Sequence, residues 1–190
     1  MRRLIIRFNA PVILTFALLG LLALLSDHWT AGNSTWLFFS VYRAPMTDPL
    51  TYVRFFGHVL GHSSWTHYMN NMLLLLLVGP GVEEKYGHST TFWCMLCTAV
   101  VTGLVQFVFF PDTALLGASG IVFMLIVLNS FTEMKKGEIP VTLILVVIFY
   151  LGGELISGLF SADNISQLTH IAGGILGLIF GFTIRPHRRR

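Results

Sequence analysis

Six apolar runs near membrane-crossing length leave this 190-residue chain few folds other than a helical bundle in a bilayer. They extend from Ala10 to Leu25, Tyr68 to Val78, Thr91 to Phe110, Gly117 to Phe131, Pro140 to Phe160 and Gln167 to Ile184. A crossing helix needs about 20 residues, with a range of about 17 to 25, and four of the runs lie in or next to that range. The second reaches that length only from Trp65 to Gly81, and the fourth is short, so both need their polar ends buried in protein. With 54% hydrophobic and 11% charged residues, the chain has too little polar surface to cover a water-soluble globule. The expected fold class is therefore an all-α membrane protein of six transmembrane helices, forming one domain over residues 1–190.

Cationic residues give an independent reading of topology. Arg2, Arg3 and Arg7 precede the first run, Lys85 follows the second, Lys135 and Lys136 follow the fourth, and Arg185, Arg188, Arg189 and Arg190 follow the sixth. Ten of the twelve Lys and Arg residues thus fall on one face, which the positive-inside rule makes cytoplasmic, with both termini there. Arg43 and Arg54 lie on the other side. Topology and anionic lipid account for the net charge of +3, so no nucleic-acid partner is implied. The basic, apolar start resembles a signal peptide, but no small-x-small cleavage site follows it. The short length and the lack of a transit peptide point to a bacterial cytoplasmic membrane.

Residues 26–64 form the longest polar stretch, and they are rich in aromatics, among them Trp29, Trp36, Tyr42, Tyr52 and Phe56. Amphipathic rings favour the headgroup zone, so this stretch is expected to lie along the outer interface. Cys94 and Cys97 sit inside an apolar run and read as packing residues rather than a redox or zinc pair. His58 and His62 stand four apart with His67 close by, but there is no H-E-x-x-H and no nearby carboxylate to complete a zinc site, so neither metal nor cofactor is expected.

Gly117-Ala118-Ser119-Gly120 and His170-Ile171-Ala172-Gly173 begin the fourth and sixth runs, which both enter from the outer side. His67 and Asn71 begin the second, which enters from the same side and places the two side chains on one helical face. Polar groups at one depth in three helices could supply a nucleophile, a base and oxyanion donors for peptide hydrolysis. Ser119 would attack, His170 would take its proton, and His67, Asn71 and the Ser119 N–H would face the oxyanion. Gly173, Gly177 and Gly181 recur every four residues and permit close helix packing, with Gly117 and Gly120 as the candidate partner. The same residues also allow a plainer reading, in which the glycines pack helices and His170 satisfies a core carbonyl.

The G-x-S-G of Gly117 to Gly120, the H-x-x-G-x-x-x-G of His170, Gly173 and Gly177, and the H-x-x-x-N of His67 and Asn71 occur in this order. Together they resemble the rhomboid family of intramembrane serine proteases in its minimal six-helix form. His62, Arg54, and Glu84 with Gly87 extend the resemblance. It implies a Ser119–His170 dyad without an acidic third member, an aromatic at Phe123 stacked on the histidine, and a fifth helix serving as substrate gate. The implied partners are transmembrane protein substrates within the lipid bilayer, with no oligomer required. Val53, Thr169 and Asn70 depart from the family pattern, and Asn70 is more polar than the bulky residue expected there. Glu154, an acid inside the fifth run, is expected to be protonated or hydrogen-bonded beside a water-filled gate. The rival function is a catalytically silent relative that binds transmembrane clients, although both Ser119 and His170 are retained.

Overall fold

A computed structural model describes residues 8–132, 134, 138–153, 155–156 and 165–186, with the backbone alone for Tyr150 and Ile165. Glu154, the Lys135–Lys136 pair, the N-terminal arginines and Arg188 to Arg190 lie outside these residues. The described chain is helical, and its only β-pairing is a single bridge between Val41 and Leu115. The long helices are α1 (Pro11–Trp29), α4 (Trp65–Tyr86), α5 (His88–Phe109) and α8 (Ile165–Thr183). Shorter ones are α2 (Asn33–Phe38), α3 (Pro49–Gly57), α6 (Ser119–Asn129) and α7 (Val141–Val146), which continues through a π turn, Val147–Leu151.

Among the described residues, three helices are long and apolar enough to cross a membrane: α1, α5 and the Ser166–Thr183 part of α8. Helix α4 has the length, at 22 residues, but it carries His67, Asn70, Asn71 and Glu83. Helix α6 has 11 residues, and every side chain from Ile121 to Leu128 except Phe123 is buried. A helix apolar on all sides belongs inside a bundle, and α6 is wrapped by α4, α5 and α8. Its start is fixed by the loop before it, where Gly117 lies against His67 and hydrogen-bonds to the His58 carbonyl.

Small residues set the closest helix contact. A Cβ on Gly173 would lie 2.1 Å from the Gly120 carbonyl oxygen, and one on Gly177 would lie 2.6 Å from that of Met124. Backbone therefore meets backbone between α6 and α8. Gly181 lies against the Phe131 ring, whereas Gly117 belongs to a different contact.

The polar stretch between α1 and α4 is folded rather than a solvated tether. Buried Arg54 donates from Nε to the Leu37 carbonyl, pairs with Asp48 at 3.0 Å and lies 4.6 Å from the Tyr42 ring centroid. Asp48 also caps α3 by accepting from the Leu50 N–H. Trp36 stacks on Tyr42, while Trp29, Trp36, Tyr52 and Phe56 stay exposed, as rings seated at an interface would be.

At the far end of α4, Glu83 is buried and accepts the Val12 and Ile13 N–H groups, both at 3.0 Å. It thereby supplies the cap that Ala10 cannot, because α1 has no side-chain cap at its own N-cap residue. The resemblance runs through Glu84, whose side chain is exposed, whereas its neighbour Glu83 is turned inward. Glu83 continues the buried stripe of Met72, Leu75, Gly79 and Val82, and Glu84 is turned 100° away from it.

Candidate active site

Helix α6 begins at Ser119 with Ala118 as its N-cap, and no side chain caps it. The first N–H groups of a helix have no intrahelical partner, so this terminus offers donors in the interior of the bundle. Gly117, just before it, has φ +127°, and a Cβ there would lie 2.9 Å from both Cε1 and Nε2 of His67. Conformation and space therefore both demand glycine at this position. The Gly117 N–H donates to the His58 carbonyl at 2.9 Å, which ties the loop to the segment ahead of α4.

His67 is held from below. Ser64 caps α4 by accepting the His67 N–H, and the Ser63 N–H and hydroxyl both lie within reach of His67 Nδ1, at 3.5 and 3.2 Å. A backbone N–H can only donate, so Nδ1 is the acceptor and the ring proton sits on Nε2, the nitrogen facing Gly117. Asn71 is buried and donates from Nδ2 to the His67 carbonyl at 3.1 Å, leaving its second amide hydrogen for another acceptor. His62 packs edge-on against His67, with ring centroids 5.0 Å apart, and against Tyr68 at 5.3 Å.

On α8, the His170 imidazole lies parallel to the Phe123 ring, with centroids 4.3 Å apart and planes 7° from parallel. Phe123 is one turn beyond Ser119. Gly117 lies against His67 of α4 and Gly120 against the Thr169 carbonyl of α8, so the three helices converge at the start of α6. A Cβ on Gly120 would meet Thr102 Cγ2 at 2.9 Å and the Thr169 carbonyl at 3.5 Å. Ser119 and His170 are both half-buried. Ser119 Oγ makes no hydrogen bond among the described residues, so a Ser119–His170 proton-transfer bond is not formed. Such bonds are often long before substrate binds.

Two supporting groups escaped the reading of the sequence. Ser63 sets the His67 tautomer, and the only signal for it was a Ser-Ser pair just ahead of a helix. On α5, Thr98, Thr102 and Gln106 form a buried polar stripe at four-residue spacing. Thr102 Oγ1 lies 3.3 Å from His58 Nε2, and Gln106 pins the following loop through Phe110 and Thr113. Polar residues recurring every four positions in an apolar run were the available signal. Burial pushes the His58 imidazole down to about 4. His62 also falls to about 4, chiefly through burial and then through the nearby His67.

A sequence model of the rhomboid domain matches residues 49–187. Rhomboid-related protein 1 of Caenorhabditis elegans is 31% identical over 140 residues, covering 69% of this chain and 39% of its own length. Rhomboid-related protein 2 of Mus musculus is 28% identical over 159 residues, covering 73% and 53%. Rhomboid protease GlpG of Haemophilus influenzae is 26% identical over 132 residues, covering 68% of each chain. The chain thus spans about half or less of the animal relatives, and the matches reach across animals, a plant and a bacterium.

Proposed function

The chain belongs to the rhomboid family, and on that premise we propose that it is an intramembrane serine endopeptidase cleaving transmembrane segments of other membrane proteins. Ser119 is the nucleophile. His170 takes its proton as the hydroxyl attacks the scissile carbonyl and returns it to the leaving amine, after which water releases the acyl group by the same path. The oxyanion is met by the Ser119 N–H, by Nε2–H of His67 and by the second amide hydrogen of Asn71. Removing one such donor costs about 3 kcal/mol of transition-state stabilisation. Six crossings with both termini on the cytoplasmic face would open this site to the outer side, with the 141–153 segment as its lateral gate.

The observation that carries the reading is the parallel stack of His170 on Phe123, one turn from an uncapped helix start at Ser119. A histidine placed only for packing would not need a fixed ring plane beside open donors. The test is cleavage of a fluorogenic transmembrane substrate in proteoliposomes, comparing wild type with Ser119→Ala and His170→Ala. Each substitution should abolish cleavage, and a fluorophosphonate should label wild type but not Ser119→Ala. A folded wild type that neither cleaves nor labels would leave the client-binding function in its place.

A further inference from the structure

Asn70 is an exposed carboxamide inside a membrane-length helix, and it has no hydrogen-bond partner among the described residues. Such a group is costly in hydrocarbon unless something pairs with it. Each residue of α4 turns 100° and rises 1.5 Å, so Asn70 lies about 4.5 Å along the axis from His67. Asn71 lies 40° to one side of His67 and is buried. Asn70 lies 60° to the other side.

The neighbours of α4 fix what that other side is. Tyr68 donates to the Ala17 carbonyl and Gly79 lies against Ile13, so α1 occupies the flank beyond Asn71. Helix α6 lies along the line of His67, beneath Gly117, and of Gly81, where a Cβ would come 3.2 Å from Asn129 Oδ1. Asn70 borders that line on the flank away from α1. The exposed face there continues through Leu73 and Leu77, both apolar. Among the described residues the 141–153 segment packs on α6 and α8, and this α4 face beside the candidate site is exposed.

We infer that Asn70 contacts substrate and selects which transmembrane segments are cleaved, an inference that rests on the protease reading of Ser119. A substrate arrives as a helix with every backbone group internally bonded, and peptide hydrolysis requires a stretch of it to be opened. Each N–H and C=O freed within lipid needs a partner. A carboxamide carries both an acceptor and donors, so Asn70 can receive the N–H and the C=O of one residue in the opened, extended stretch, which face the same side of the chain. An apolar side chain at this position can receive neither.

The test uses the full chain in proteoliposomes and two transmembrane substrates, an unbroken Leu/Ala helix and the same helix with a Gly-Pro pair beside the cleaved bond. Asn70→Leu should lower kcat/KM for the unbroken helix about tenfold, within the net worth of the two hydrogen bonds lost, and for the interrupted helix by less than about threefold. Asn70→Gln should restore most of the loss. The rate of Ser119 labelling by fluorophosphonate should stay at the wild-type value in both variants, which also certifies their folding. Equal losses on both substrates, no loss, or a matching fall in labelling would overturn the inference. Wild type that neither labels nor cleaves would remove the protease reading itself, whereas labelled wild type with an unaltered Asn70→Leu removes only the role of Asn70.

Discussion

Phe123 offers the most direct test at the scale of single residues, because it holds the His170 ring without supplying a reacting atom. Phe123→Leu keeps the apolar bulk and loses the stack, worth about 0.5–1.5 kcal/mol. A fall of severalfold in kcat with little change in KM is expected, together with a parallel fall in Ser119 labelling. Residues whose chemistry narrows the choice, such as a serine between glycines or a histidine opening an apolar run, were legible in the sequence. Those whose role is to orient a neighbour were not. Ser63 and Thr102 are common residue types, and only three-dimensional contact shows which ring nitrogen each one reaches. Glu83 is the instructive miss, since the buried stripe along α4 already distinguished it from Glu84.

Among the elements, the α6–α8 crossing is the least forgiving. Gly173→Ala places a methyl against the Gly120 backbone, which has no flexible end to move aside, so loss of folded protein or of all activity is expected. Gly152→Ala meets nothing within 4 Å and should leave the thermal midpoint in detergent nearly unchanged. The cap on α1 is testable in the same way. Glu83→Gln keeps one accepting oxygen but loses the charge shared by two N–H groups, so destabilisation of about 2 kcal/mol is expected by thermal unfolding. His88, whose Nδ1 lies 2.6 Å from Glu83 Oε1, is largely exposed, and His88→Ala should cost much less. Of the six apolar runs, the first, third and sixth became long apolar helices. The fourth became a short one, because burial on all sides removes the need to match the bilayer thickness.

For the whole molecule, apolar side chains such as Leu22, Leu77, Trp93, Phe149 and Ile179 are exposed on several helices, which suits a lipid surround and not water. The expected topology can be measured directly: reporters fused to either terminus should report the cytoplasm, and single cysteines placed within residues 26–64 should react with an impermeant maleimide from outside. Stability should also follow pH through His58 and His62. Both stay neutral in the fold down to about 4, while the unfolded chain takes up protons below about 6.5. Their contribution is therefore complete above pH 6.5 and is lost as pH falls toward 4, on the order of 3 kcal/mol for the fully buried His58. A thermal midpoint in detergent that falls over this window, with a shallower fall in His58→Gln, is the expected result.

The cap on α1 also bears on how the chain is made. The N–H groups of Val12 and Ile13 find their acceptor 71 and 70 residues later. Until the ribosome has delivered Glu83, α1 has an unfinished end. The order of synthesis thus makes α1 wait for α4, and a nascent chain stalled before that glutamate would present α1 to the insertion machinery with its starting turn still open.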